Sequence, residues 1–377
     1  MKSDVLIIGA GVIGLSLARE LHRKGAGKVR VIDRGLPGRE ASFAAAGMLA
    51  PQAETDETGD FFDLCTASRD LYPRFAEELF DETGIDIELD QTGTLYAAFT
   101  DSDAAHIRDR HSWQINAGLT VERLTARESI ERESGLSPAV LESLFFPNDW
   151  QVENRRLIAA LVEYAAISGV ELLPNERIDS LLIDSGRVVG ASSAANTYFA
   201  DTVVLATGAW TSFIKIGGSA VSVPVKPMKG QLISFQLARP ALRHVVYSPR
   251  GYIVPRRDGR ILAGSTCEDA GFDTAPSASV ADALREKAAE IAPVLAVSDI
   301  ADTWAGLRPF ASNGMPVLGG ISGLDGLMIA TGHFRNGILL APLTAQLLAS
   351  KMVDGSDSRF LSAFAPERRI AGSTVGN

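Results

Sequence analysis

The sequence predicts an α/β fold in which a Rossmann-like nucleotide-binding domain is interleaved with an antiparallel-sheet α+β domain. Three observations carry that prediction. The chain begins with an apolar β segment, a glycine triplet, an amphipathic helix and a second β segment. Two later apolar β runs, TVVLATGAW (202–210) and GLMIAT (326–331), meet glycines at their ends. Between them, residues 224–263 alternate like antiparallel strands, with turn signals at 249–251 and 258–259.

The N-terminal unit is the most specific. VLIIGAGVIG (5–14) places Gly9-x-Gly11-x-x-Gly14 directly after a β run. The next segment carries apolar Leu15, Leu17, Ala18 and Leu21 among charged Arg19, Glu20, Arg23 and Lys24, and stops at Gly25. That pattern is a helix with one buried face. A second β run, VRVIDR, ends near Asp33, 22 residues beyond Gly11. The glycines permit a tight turn, close approach to a pyrophosphate and close helix–strand packing. The helix start offers N–H groups and a positive dipole end to phosphates. An acidic residue at 33 stands where ribose hydroxyls are bound. This motif does not separate NAD from FAD. Ser42–Pro51, SFAAAGMLAP, is small and apolar, and its small side chains suit either backbone approach to a planar ligand or a tightly packed helix.

The middle of the chain is mixed. Residues 64–83 have helical periodicity through Leu71, Phe75, Leu79 and Phe80, and GTLYAAF (93–99) reads as a strand. A polar helix follows over 101–117, FFPNDWQV (145–152) reads as a crossing segment, and an amphipathic helix precedes short strands that turn at 184–186. Gly208, at the end of its β run, allows a ligand to lie across the strand ends. The basic residues Arg239, Arg243, Arg250, Arg256, Arg257 and Arg260 crowd the antiparallel segment, and most read as solvated hairpin positions with one or two at most facing a ligand. Residues 279–293 are helical again, and DTWAGLRP (302–309) returns toward the first domain.

Bulk properties exclude several classes. The chain has 377 residues, 46 % of them hydrophobic, which suits two packed domains and argues against disorder. A net charge of −10 disfavours nucleic acid as a partner. The two cysteines, Cys65 and Cys267, build neither a disulfide framework nor a zinc site, and point to a reducing, cytoplasmic setting. The apolar run at 5–18 is interrupted by glycines and too short to span a membrane, so no membrane anchor is expected.

GAGVIG, AAAGMLAP, VLATGAW, RGYIVPR, WAGLRP and GHFRNGILLAP together resemble the glycine oxidases of the D-amino-acid-oxidase/sarcosine-oxidase flavoprotein family. The likeness runs from about Ser3 to Phe364, and its last two motifs are far more specific than the first. It implies a Rossmann-like FAD-binding domain over 1–88, 147–222 and 301–370, interleaved with a substrate domain over 89–146 and 223–300. It implies noncovalent FAD, a small amino-acid or amine substrate, molecular oxygen as acceptor, a link to thiamine thiazole synthesis, and a homo-oligomer. No cysteine follows Cys267, so the cysteinyl flavin of monomeric sarcosine oxidases has no attachment point there.

Carried over by residue, Arg308 resembles the arginine that pairs with the substrate carboxylate, Tyr252 a tyrosine bonded to the same group, and Arg335 a further substrate-site arginine. With the glycines Gly9, Gly11, Gly14 and Gly208, the FAD-contacting set is Val12, Ile13, Asp33, Arg34, Ala41, Ser42, Ala46, Gly47, Met48 and Ile178. It continues with Gly332 and the loop His333, Phe334, Arg335, Asn336, Gly337, Ile338 and Leu339. Gly332 ends a strand, HFRN turns over the flavin, and the next helix aims its N-terminus at the flavin's pyrimidine end. Arg335 points either to the substrate carboxylate or to the flavin and loop backbone. Asp33 is one methylene shorter than the family's usual glutamate, which implies a looser or water-mediated ribose contact. Cys267 either shapes the pocket or is a buried, inert thiol. A guanidinium fork suits a carboxylate, and a neutral bound amine needs no catalytic base. Two other readings keep the cofactor: a D-amino-acid dehydrogenase using a quinone or carrier, and a non-catalytic FAD-binding subunit.

Overall fold

The computed structural model describes residues 2–216, 223–238 and 241–370. Arg239 and the residues 217–222 assigned above to the first domain lie outside them. Two large sheets organise the chain.

In the first sheet, the strands Lys2–Ile8, Val29–Ile32, Thr197–Leu205 and Leu324–Thr331 run parallel as neighbours, with Glu171–Leu173 beyond Val29–Ile32. Val29–Ile32 and the carboxyl-terminal residues 5–8, 203–205 and 329–331 of the other strands are buried, as expected for the covered centre of a parallel sheet. The helices Val12–Arg23, Asn154–Ser168 and Gly337–Asp354 pack on one face around Leu15, Leu21, Leu161 and Leu348. A hairpin, Ile178–Asp184 with Arg187–Ser193, extends the sheet through the expected turn at 184–186. The carboxyl ends of the central strands deliver Gly9, Asp33, Ala206 and Gly332 to one edge, where open α/β sheets bind ligands.

The second sheet has the order Ile300–Ala311, Val225–Gln236, Arg260–Gly264, Gly251–Pro255, Val245–Ser248, Thr94–Ala98, Glu142–Phe146, Glu122–Thr125. All its pairings are antiparallel except that of Val245–Ser248 with Thr94–Ala98. Ala281, Leu284, Ala288 and Ile291 of the helix Ala278–Ile291 cover its outer face. Ile300–Ala311 is a strand of this sheet along its whole length. That corrects the reading of DTWAGLRP as a return to the first domain; the alternation in WAGLRP fits a strand that presents Arg308 from the second sheet to the first.

The periodic segment 64–83 is two helices, Asp60–Asp70 and Tyr72–Thr83, because Pro73 starts a new helix. The C-terminal helix contains Pro342, whose missing N–H leaves the Ile338 carbonyl without its helical donor. The buried Tyr72 hydroxyl fills that position, donating to Ile338 O at 2.5 Å, and Ser68 Oγ donates to Leu339 O at 2.7 Å. Those two bonds hold the first turn of the helix, which forms part of the site below. Among the described residues, no helix is long and apolar enough to cross a membrane.

Replacing Tyr72 with Phe keeps the ring and orphans the Ile338 carbonyl. A loss of about 1–3 kcal/mol in unfolding free energy is expected, read from denaturant titration of the variant against the parent.

Candidate active site

A cavity of about 540 Å³ lies between the carboxyl edge of the first sheet and the inner face of the second. Its nucleotide end is built on the glycine turn. Gly9 has φ +110°, and a Cβ there would sit 2.3 Å from Ala206 O, so the turn closes onto the neighbouring strand only with glycine. The helix Val12–Arg23 begins at Gly11, which brings no capping side chain, and its first N–H, from Val12, is held by Ser42 Oγ at 3.0 Å. Asp33 accepts from Ala10 N at 2.7 Å and from Gly35 N at 2.8 Å. Its carboxylate therefore fixes the turn as well as facing the cavity, with lone pairs to spare for a ribose. Burial raises its pKa against those two bonds. Arg34 stacks 3.6 Å over the Trp210 ring.

The first sheet's loops are cross-linked beneath the ligand space. Thr331 Oγ1 lies 2.9 Å from Thr211 Oγ1 and donates to Gly208 O at 3.2 Å. The small stretch that ends at Pro51 is held from outside: the buried Arg256 guanidinium donates to Ala46 O at 2.6 Å, Val152 O at 2.8 Å and Gln151 Oε1 at 3.0 Å. Gly47, at φ +73°, leaves room for Val152 O, which a Cβ would approach to 2.1 Å. Arg256 is thus a structural tie, where the sequence pattern suggested a solvated hairpin charge.

The substrate end is a dent in the second sheet. Gly230 and Gly306 face each other across two strands, in register. A Cβ on Gly230 would fall 2.2 Å from Arg308 Nη1, so the guanidinium lies flat over that glycine. Arg308 donates to Thr266 O at 3.0 Å and to Ser265 Oγ at 2.6 Å, and each terminal nitrogen retains a second N–H. Tyr252 pairs with Gly264 and belongs to an aromatic run: its ring lies 6.0 Å from Tyr247, which stacks on Tyr96 at 5.2 Å.

The loop 332–336 joins the two ends. Phe334 N donates to Pro309 O at 3.0 Å, and the Phe334 ring meets Phe310 edge-on at 4.9 Å, next to Arg308. Phe334 adopts φ +47°, a conformation non-glycine residues hold only under constraint. Arg335 lines the cavity; burial opposes its protonation, but Tyr247, Glu54 and Cys267 outweigh that and raise its pKa. His333 is buried, 3.2 Å from Thr344 Oγ1, and burial lowers its pKa to about 3. Asn336, the N-cap of Gly337–Asp354, makes no side-chain cap, so that helix's first N–H groups and dipole end stay open toward the cavity at Gly337 and Ile338.

Of the residues singled out from the sequence, Tyr252, Arg308 and Arg335 share this cavity. So do Gly9, Gly11, Val12, Ile13, Asp33, Arg34, Ala41, Ser42, Ala46, Gly47, Met48, Ile178, Gly208, His333, Phe334, Gly337 and Ile338. Gly14, Gly332, Asn336 and Leu339 do not line it. Gly14 packs helix on turn, 1.9 Å from Gly9 O for a Cβ, and Gly332 passes Ala311 closely. Asn336 stands at the N-cap position of its helix without a side-chain cap bond, and Leu339 is core. Cys267 is exposed, contrary to the buried-thiol alternative, while Cys65 is buried. Sequence reasoning missed Glu54, Trp210, Gly230, Leu232, Ser265 and Gly306 in the wall. The glycines in KGQ and WAGL, each inside an alternating strand, were the available signal.

The profile of the FAD dependent oxidoreductase (DAO) family matches residues 4–351. The glycine oxidase of Pseudomonas aeruginosa is 34 % identical over 371 residues, covering 98 % of this chain and 100 % of that protein. The bifunctional protein ThiO/ThiG of Trichormus variabilis is 36 % identical over 370 residues, 97 % of this chain and 55 % of its own length. The crystal structure of glycine oxidase from Geobacillus kaustophilus superposes with a TM-score of 0.92 at 35 % identity, covering 97 % of this chain and 99 % of that one.

Gly230→Ala should push the Arg308 guanidinium off its seat. Substrate affinity is expected to fall at least tenfold, roughly, with yellow, FAD-loaded protein still recovered. His333 supplies a pH test. Its folded pKa lies below the ordinary value, so its contribution to stability is complete above pH 6.5 and is lost as pH falls toward 3. Unfolding free energy should drop by up to about 1.4 kcal/mol per pH unit from this group between about pH 6 and 4, and His333→Asn should flatten that slope.

Proposed function

The chain belongs to the family of FAD-dependent oxidoreductases, and from that premise we propose that it oxidises the amine of glycine or a similarly small amino acid, with oxygen as acceptor. The residues fit FAD. The glycine cradle at Gly9 and Gly11, the uncapped helix start, Asp33 and Arg34 suit its nucleotide half. The helix start at Gly337, with Gly47 and Met48 across the cavity, suits its ring system. FAD bound there would supply the two-electron acceptor for the hydride leaving the substrate carbon, with oxygen as the final acceptor and hydrogen peroxide as its product. With no cysteine after Cys267, a cysteinyl flavin has no attachment point there, and the proposal takes FAD as noncovalently held.

The observation that carries the reading is Arg308 laid over Gly230 beside Tyr252, with Arg335 lining the same cavity. Ser265 and Thr266 hold the Arg308 fork from one side, so its remaining N–H groups can take a carboxylate in a fixed plane. The Tyr252 hydroxyl adds direction to that contact. Held by its carboxylate, a small amino acid has its α-carbon and amine within one or two bonds of the anchor, which limits the poses open to it. The imine product hydrolyses to an oxo acid and ammonia. Glycine as the preferred substrate draws support from the glycine oxidases of similar sequence and fold, and supply of the imine to thiazole synthesis from the ThiO/ThiG relative. A cytoplasmic homo-oligomer completes the proposal, with the two domains bounded as given above except that residues 301–311 go with the substrate domain's sheet.

Anaerobic mixing with glycine, sarcosine, D-alanine, D-proline and bulkier D-amino acids should bleach the flavin with the smallest substrates fastest, and air should restore the colour with hydrogen peroxide. Bleaching without peroxide under air would identify a dehydrogenase; no bleaching by any amine would leave a non-catalytic flavoprotein. Arg308→Ala should weaken amino-acid binding by about 2–3 kcal/mol, and an unchanged KM removes the assignment. Tyr252→Phe should act chiefly on KM, whereas a rate loss beyond roughly a thousandfold marks acid–base chemistry at that hydroxyl.

A further inference from the structure

Glu54 ends the short helix Pro51–Glu54, and everything around that helix is fixed. Asp149 accepts from Gln52 N at 3.2 Å and from Ala53 N at 2.8 Å. Arg110 donates to Gln52 O at 2.7 Å and Thr55 O at 2.5 Å, and Thr55 Oγ1 donates to Pro51 O at 2.7 Å. The Glu54 side chain enters the cavity wall from this rigid base. Four carboxylates line the cavity among the described residues. Asp33, Glu40 and Glu176 stand at the nucleotide end with Arg34 and Arg177; Glu54 stands at the substrate end, in the fields of Arg335 and Arg308. No hydrogen bond from a described residue acts on its carboxyl group, whose protonation is governed by burial first and those two cations second. Glu54 is half-buried in the cavity wall, and a wall carboxyl group that has no protein partner and would be covered when the cavity fills points to a partner on the ligand.

We propose that Glu54 is a catalytic residue whose carboxylate pairs with the ammonium group of the bound amino acid and removes one proton from it. This rests on the amine-oxidation reading above. The step balances: one N–H bond of R–NH3⁺ breaks, one O–H bond forms on Glu54, and the products are R–NH2 and the neutral carboxylic acid. The freed lone pair on nitrogen then forms the C=N bond as the α-hydrogen leaves with its electron pair. The neutral amine, which the oxidation requires, is thereby made in the cavity instead of being drawn from the small neutral fraction in solution.

Geometry and charge favour that transfer. Burial raises the Glu54 pKa to about 7, with Arg335 and Arg308 pulling it down. When the substrate carboxylate settles on those guanidinium groups it cancels part of their field at Glu54, which offsets the opposite pull of the ammonium on the carboxylate until the proton has moved. The other titratable groups coupled to Glu54 are Asp149, Cys65 and Tyr247, and burial raises the pKa of each. Asp149 does not line the cavity and its oxygens are taken by Gln52 N and Ala53 N, while the Cys65 thiol and the Tyr247 phenol stay neutral near pH 7.

The test is the pH profile of anaerobic flavin reduction in the FAD-loaded Glu54→Gln and Glu54→Asp variants, with glycine as the probe. At about pH 7, Glu54→Gln should lower the reduction rate per unit of substrate by about 10²- to 10⁴-fold, the range of acid–base assistance. The deficit should shrink as pH rises toward that of the free amine, because the variant reacts with substrate that arrives already neutral. Glu54→Asp should restore the parent's profile shape with a lower rate. A structural role would depress all pH values alike. Parallel profiles for parent and Glu54→Gln overturn this proposal and leave amine oxidation standing. A parent enzyme that no amine bleaches overturns both. If Glu54→Gln does not fold, Glu54→Asp decides: a parent-like profile supports the proposal, and a uniform loss at every pH overturns it.

Discussion

One buried guanidinium holds the two halves of this molecule in register. Arg256 leaves the second sheet at the end of a strand and reaches the carbonyl of Ala46, the carbonyl of Val152 and the side chain of Gln151. Glu153 balances its charge at 3.4 Å and also binds Arg260 at 2.8 Å. A hairpin of one sheet, the crossing segment and the small-residue stretch that edges the cavity thus meet at one cation. The positive φ of Gly47 is part of the same arrangement, since the backbone must pass under Val152 O. Burying a lone guanidinium is unfavourable, and it is tolerated here because carbonyls and a carboxylate surround it. The consequence is positional: Met48 and the helix Pro51–Glu54 are referred to the second sheet, which carries Arg308 and Tyr252.

From that frame the rest of the cavity follows as a set of close approaches. Glycines stand where backbone or cation must come within contact distance: Gly9 under Ala206, Gly230 under Arg308, Gly306 against Ala44. The same loop that carries Arg335 is bonded to Pro309, so the two substrate-end cations are fixed relative to each other by Phe334 and Phe310. Neutral His333 beneath them adds no third charge. The Ile338 carbonyl that Pro342 leaves without a helical donor is satisfied by Tyr72, which ties the first turn of the helix Gly337–Asp354 beside this group.

The nucleotide half was legible in the sequence because its signal is local. Strand, glycine triplet, helix and Asp33 lie within some thirty residues, and each glycine has one physical reason to be there. The substrate half is assembled from strands far apart in the chain, and resemblance supplied Arg308, Tyr252 and Arg335 where spacing alone could not. Pairings such as Gly230 with Gly306 depend on register, which no local pattern reveals. Arg256 read as a hairpin charge because burial is a tertiary property. Glu54 was hidden for a related reason: it follows an apolar stretch on a helix too short to show periodicity, and Asp149 and Arg110, which fix that helix, come from elsewhere. WAGLRP, at the end of a long strand, pairs within the second sheet, a partnership that depends on register and leaves no local trace in the sequence.

Charge accounting links these parts. Two guanidinium groups at the substrate end exceed what one substrate carboxylate neutralises, and Glu54 is the wall group that can take up the difference. Moving a proton from the ammonium to Glu54 leaves the total charge of the filled cavity unchanged while shifting positive charge away from the nitrogen. The cavity then retains the net field of the guanidinium groups beside the open N–H groups at Gly337 and Ile338. Both favour negative charge arriving at that wall, and both are fixed before the substrate enters, so no reorganisation is required when it does. The neutral amine that the chemistry needs and the electropositive wall that favours negative charge on the group taking its electrons are, on this reasoning, products of one arrangement of charges.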